Sequence, residues 1–144
     1  MAYEFKLHRQ VEFAETDMAG IVHFSNFFRY MEQTEHAFLR SLGLSVHTPT
    51  ADGAISFPRV RTACEYKQPL RFEDELEVHL LVRQKKEKAI VYEFTFKKLT
   101  PISPVEVAHG SMTVVCAKID RNDQIRSVSI PASIAERIEV ANGE

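Results

Sequence analysis

One stretch, Val11 to Glu32 (VEFAETDMAGIVHFSNFFRYME), concentrates residues able to do chemistry. It sets a carboxylate, Asp17, and a glycine, Gly20, between an alternating segment and the start of an amphipathic one. Backbone N–H groups at a helix start lack intrahelical partners and carry the positive end of the helix dipole, so they can stabilise an oxyanion. A carbonyl held there is polarised, and a neighbouring carboxylate can attack its carbon or deprotonate a water that does. Loss of one such donor typically costs about 2.7 to 4 kcal/mol of transition-state stabilisation. Taken alone, an acid before a helix is more often a cap or a solvated turn residue.

The elements that must position these residues follow from hydrophobic period. Phe5, Leu7, Val11 and Phe13 fall on odd positions, which predicts a first half-buried strand over 5–13. Phe27, Phe28, Met31, Thr34, Phe38 and Leu42 recur at steps of three and four, with Arg29, Glu32, Gln33, His36 and Arg40 opposite, which predicts a helix over 26–42 of about four and a half turns. Ser25 or Asn26 can cap its start, and Gly43 can end it in a left-handed conformation. Residues 45–56, with Pro49 and Asp52-Gly53, are expected to form a loop. Alternation returns at Val60 to Tyr66, at Leu76 to Val82 and at Ile90 to Phe96, with Arg83 to Lys88 as a hairpin turn. Val105 to Ile119 is expected as one long strand in which Gly110 marks a bulge or a close backbone approach. A short helix is expected over 132–140. One long helix followed by strands predicts an α+β fold, an antiparallel β-sheet wrapped around one long central helix, in a single domain over 1–144.

Composition closes off several classes. The chain has 144 residues, a net charge of −2, 44% hydrophobic and 26% charged residues, which excludes a nucleic-acid binder working through bulk positive charge. No apolar run is long enough for membrane insertion, and the amino terminus shows no secretory signal, so the expected location is cytoplasmic. Cys64 and Cys116 sit in strand-like sequence with no CxxC, and His8, His23, His36, His47, His79 and His109 show no metal-binding spacing, so no metal site is expected. Gly-rich phosphate loops and a GxSxG motif are absent.

Two separated blocks resemble a known family. Glu15-Thr16-Asp17-Met18-Ala19-Gly20-Ile21-Val22, followed by Phe24, Asn26, Phe27 and Glu32, is similar to the signature of hotdog-fold acyl-CoA thioesterases of the 4-hydroxybenzoyl-CoA thioesterase and YbgC-like group. Glu65-Tyr66-Lys67-Gln68-Pro69-Leu70-Arg71-Phe72-Glu73-Asp74-Glu75-Leu76-Glu77 resembles that group's second block. The resemblance implies an enzyme that hydrolyses an acyl or aroyl thioester of coenzyme A to the free acid and CoA, with no cofactor beyond the CoA of the substrate. It implies Asp17 as nucleophile or general base, Gly20 as the turn toward substrate, and the main-chain N–H at Phe24 as the donor to the thioester carbonyl. Glu32 matches an acidic helix position near the site across a dimer, although it can also pair with His36 on a wet helix face. His23, Asn26 and Phe27 are the substrate-binding candidates at the helix entrance. Relatives join two sheets edge to edge, so a homodimer or tetramer of such dimers is implied.

The chain departs from the pattern at one point. Many members have a Tyr-His pair where this chain has His23-Phe24, and an offset of one residue at a helix entrance turns a side chain by about 100°. His23 therefore either inherits no catalytic role and packs locally, or binds substrate. Arg83, Lys85, Lys86 and Lys88 form a basic cluster that is either a solvated turn or a clamp for the phosphates of coenzyme A. Alternatives on the same fold are a thioesterase or hydratase acting on acyl carrier protein and a non-catalytic acyl-CoA binding module.

Overall fold

The computed structural model describes residues 2–142. Its elements run β1 (Glu4–Gln10), a 3-10 turn (Phe13–Glu15), α1 (Asn26–Ser41), β2 (His47–Thr50), β3 (Gly53–Ser56), β4 (Arg59–Tyr66), β5 (Glu75–Lys85), β6 (Ala89–Leu99), β7 (Val105–Val115), β8 (Ala117–Asp120), β9 (Ile125–Ser127) and α2 (Ala132–Ala135). They form an antiparallel five-stranded sheet, β1-β5-β6-β7-β4, and a smaller antiparallel sheet, β2-β3-β8-β9. The result is an α+β chain with one long helix, consistent with the hotdog expectation.

Two of the period-2 segments became the strands β5 and β6 that build the core, whereas Val60 to Tyr66 became β4, none of whose residues is buried. Leu76, Val78, Leu80 and Val82 of β5 and Ile90, Tyr92, Phe94 and Phe96 of β6 are all buried, and Val78 lies opposite Phe96 and Leu80 opposite Phe94. Helix α1 packs against β1, β5 and β4 and buries Phe27, Tyr30, Met31, Thr34, Glu35, Phe38 and Leu39. Gly110 is a close approach and not a bulge, because a Cβ there would collide with the Met31 side chain and sit 3.1 Å from the Ala63 carbonyl oxygen. The register shift in that part of the sheet falls between Phe96 and Lys97.

Five expectations are corrected. The first strand, expected over 5–13, ends at Gln10, and Phe13 opens the 3-10 turn, 73% exposed. Residues 45–56 contain the β2–β3 hairpin, in which Pro49 sits on an edge strand, where its missing N–H leaves no gap in the sheet. The strand expected over 105–119 divides at Cys116, because Cys116 and Ala117 are buried in succession and break the alternation, sending β8 into the second sheet. The terminal helix is limited to Ala132–Ala135, after which Ile138 bridges to Ala2. Strand β5 continues to Lys85 across an irregularity between Val82 and Gln84, so the hairpin turn is shorter than 83–88. Among the described residues no helix is long and apolar enough to cross a membrane.

Candidate active site

The segment from β1 to α1 forms a loop that is tied at its neck and anchored to both neighbours. Thr16 and Val22 form an isolated antiparallel bridge, the Asp17 N–H donates to the Ile21 carbonyl at 2.9 Å, and the His23 N–H donates to the Glu15 carbonyl at 2.9 Å. Within the loop the Gly20 N–H donates to the Asp17 carbonyl at 2.9 Å, and Gly20 has φ +77°. A Cβ at Gly20 would meet nothing within 4 Å, so the backbone angle and not space selects glycine. The Ala19 N–H donates to Asp17 Oδ1 at 2.9 Å, which fixes the carboxylate from its own turn.

Glu15 anchors this loop. Its carboxylate accepts hydrogen bonds from Tyr30 Oη at 3.0 Å, from Arg9 Nη2 at 2.6 Å and from the Glu12 N–H at 2.8 Å. Its carbonyl also accepts from Asn26 Nδ2 at 2.8 Å. The loop bearing Asp17 is thereby fastened to β1 through Arg9 and to α1 through Tyr30 and Asn26. Burial and the Glu15 charge raise the Tyr30 phenol above its ordinary value, so it remains a donor.

The helix entrance supplies the second component. Among the described residues the Phe24 N–H has no hydrogen-bond acceptor, while the Phe24 carbonyl accepts from Tyr66 Oη at 3.0 Å. Asp17, Phe24 and Phe27 line one cleft of about 600 Å³, whose walls include Val22, Tyr66, Leu70 and Arg71. The Val22 N–H donates to the Leu70 carbonyl at 2.8 Å and joins the two motif blocks. Asp17, Phe24 with its unpaired amide, and an apolar wall therefore line one cavity, and these residue types are the set that can hold a carbonyl compound and move charge onto its oxygen.

The remaining candidates are placed elsewhere or used otherwise. Ser25 makes no side-chain cap bond to α1; its Oγ lies 2.7 Å from His23 Nδ1, and the His23 ring lies against Phe24 with centroids 4.5 Å apart. His23 is thus engaged locally. Glu32 lies on the exposed flank of α1, 3.9 Å from Arg59, and does not line the cleft. Arg83 is paired with Glu93 at 2.6 Å, and Lys85 Nζ donates to the carbonyls of Ala135 and Ile138 at 2.8 and 2.7 Å. Lys86 and Lys88 are exposed beyond the end of β5, which at about 3.3 Å per residue lies roughly 33 Å from its start at Glu75. The structure does not bring this basic cluster to the cleft of the same chain.

Sequence reasoning gave no role to Tyr66, Leu70 or Arg71, although all three stand in the second motif block, and none to Arg9 or Tyr30. It also missed Glu35. This side chain is 1% exposed, its Oε1 bonds Arg59, and its Oε2 has no partner among the described residues. Burial pushes its carboxyl up to about 7 against the opposing pull of Arg59.

Comparison with known proteins gives a consistent picture. Residues 11–138 match the model of the thioesterase-like superfamily. A candidate esterase of Aquifex aeolicus (strain VF5) is 36% identical over 132 residues, covering 92% of this chain and 95% of the relative. A 1,4-dihydroxy-2-naphthoyl-CoA hydrolase of Prochlorococcus marinus (strain NATL2A) is 31% identical over 120 residues, covering 78% of this chain and 77% of the relative. Among solved structures, a 4-hydroxybenzoyl-CoA thioesterase mutant complexed with 4-hydroxybenzoyl-CoA shares the fold with a TM-score of 0.83 at 21% identity, covering 94% of this chain and 99% of that one.

Proposed function

We propose, for a chain that belongs to the thioesterase-like superfamily and is a thioester hydrolase, that Asp17 and the Phe24 N–H together cleave an acyl- or aroyl-CoA. The observation that carries this is that Asp17 and Phe24, whose N–H has no acceptor among the described residues, line one cleft. The thioester carbonyl oxygen accepts from the Phe24 N–H, which stabilises the negative charge that grows there as the carbon becomes tetrahedral. Asp17 either adds to that carbon, expelling the CoA thiolate and leaving a mixed anhydride for water to open, or takes a proton from the water that adds. Both routes give a free acid and CoA. The relatives named for aromatic thioesters, together with the Phe24, Phe27 and Tyr66 rings on the cleft, favour an aroyl group.

The test is thiol release, followed with a thiol-reactive dye, from CoA esters of short, medium, long and aromatic acids. Turnover is expected, fastest on the aromatic members. A folded protein that releases no thiol from any ester would overturn the proposal.

Two copies are proposed to pair along β4, the outer strand of the main sheet. Most of its residues are exposed, including Val60 at 60%, and a free edge of this length is a template for another chain. Sedimentation velocity at micromolar concentration is expected to show a species of two or more chains, and a monomer under those conditions would refute the pairing.

A further inference from the structure

The wall of the cleft that holds Asp17 also holds a cation with no counter-charge among the described residues. Arg71 follows Leu70, whose carbonyl accepts the Val22 N–H, so its backbone is registered against the Asp17 loop. It opens a turn over 71–74 held from several sides. The Arg71 N–H donates to Asp74 Oδ2 at 2.7 Å, the Asp74 N–H returns to the Arg71 carbonyl at 3.1 Å, and the Glu73 N–H donates to the Val11 carbonyl at 3.0 Å. Glu73 keeps φ +69°, a left-handed conformation unfavourable for a residue with a Cβ, which persists because these bonds over-determine it.

The Arg71 guanidinium itself makes no hydrogen bond or ion pair among the described residues. Of the two acids in the turn, Asp74 is occupied by the Arg71 backbone and by Lys98 at 3.4 Å, and Glu73 makes no ion pair with Arg71 among the described residues. Lys67, the other cation on the cleft wall, is paired with Glu106 at 2.9 Å. Arg71 therefore presents the cleft's unspent positive charge on a rigid support. Its planar fork suits a bidentate oxyanion, and it offsets the negative potential that Asp17 would impose on an anionic ligand.

We propose that Arg71 is the residue by which this cleft selects thioesters carrying an oxyanion, either a phosphate of the CoA carrier or a carboxylate on the acyl group. The inference rests on the hydrolase assignment made above and adds the charge of the substrate to it.

The experiment uses wild type, Arg71→Ala and Arg71→Lys on four thioesters: benzoyl and carboxybenzoyl groups, each on CoA and on N-acetylcysteamine, which lacks phosphates. Arg71→Ala is expected to raise KM about tenfold on the thioesters that carry the recognised anion, with kcat within about twofold, and Arg71→Lys to recover part of the loss. Loss on both CoA esters and neither N-acetylcysteamine ester assigns the contact to phosphate. Loss on both carboxybenzoyl esters and neither benzoyl ester assigns it to the acyl carboxylate. A KM unchanged on all four, or raised equally on all four, overturns the proposal. Calorimetric titration of benzoyl-CoA and carboxybenzoyl-CoA into wild type and Arg71→Ala reads the same contact without turnover. Absent hydrolysis with Arg71-dependent binding would thus fail the hydrolase assignment alone, and equal binding by both proteins would fail the Arg71 proposal.

Discussion

Asp17→Asn is expected to lower kcat by at least about two orders of magnitude on whichever CoA ester the wild type turns over fastest, the range seen when a positioned acid-base group is removed. Asparagine keeps the size of the side chain and an oxygen able to accept the Ala19 N–H, so the turn that ends at Gly20 is preserved. It loses the charge. An amide oxygen is too weak a nucleophile to displace a thiolate and too weak a base to take a proton from water, so both routes through Asp17 fail together. KM should change little, because the apolar wall of Val22, Phe27 and Leu70 is untouched. Thiol-release kinetics measure the loss, and a melting temperature equal to that of the wild type shows that the fold is intact. A variant with kcat within tenfold of the wild type would remove Asp17 from the chemistry.

What could be read from the chain in advance was what is local in it. Asp17, Gly20, Phe24 and Phe27 stand within eleven residues, and a turn followed by a helix start brings Asp17, Phe24 and Phe27 to one cleft with little help from distant sequence. Strands β5 and β6 were equally legible, since Leu76 to Val82 and Ile90 to Phe96 alternate buried and partly exposed positions and bury one face. The second sheet was not. Its strands are three or four residues long, β2 contains Pro49, and β8 begins where alternation fails at Cys116 and Ala117.

Charge misled for a related reason: the sequence lists cations but not their partners. Arg83 meets Glu93 only because β5 and β6 pair, and Lys85 reaches the Ala135 and Ile138 carbonyls only because the C-terminal segment returns to β5, where the Ala141 N–H donates to the Val82 carbonyl. Arg71 is less conspicuous in sequence than that cluster, yet it lines the Asp17 cleft and its guanidinium has no partner among the described residues. Glu35 escaped notice because a helical pattern assigns an acid to the wet face. Its burial depends on Arg59, which arrives from β4.

That buried pair gives the largest stability effect expected in the molecule. Glu35 has an ordinary value of 4.5, and burial raises it to about 7 in the folded chain despite Arg59. Between these values the native state binds more protons at this group than the unfolded state does. The contribution to stability is therefore fully present below about pH 4.5 and is lost as pH rises through 7, amounting to roughly 3 kcal/mol over the window. Glu35→Gln, which cannot titrate, should abolish that slope, so the difference between wild type and variant in urea unfolding at pH 5 and pH 8 isolates it. Arg59→Leu acts in the opposite sense. It removes the guanidinium partner and leaves the carboxylate beside the His36 ring at 3.8 Å, which burial keeps neutral at pH 8, and is expected to cost about 3 to 5 kcal/mol at pH 8, and less at pH 5, where a proton neutralises the group. Combining Arg59→Leu with Glu35→Gln should recover most of the loss, since the uncompensated charge and not the missing guanidinium is what destabilises the fold. An Arg59→Leu protein equally destabilised at both pH values would show that packing against Arg59, and not the charge of Glu35, holds this side of α1 to β4.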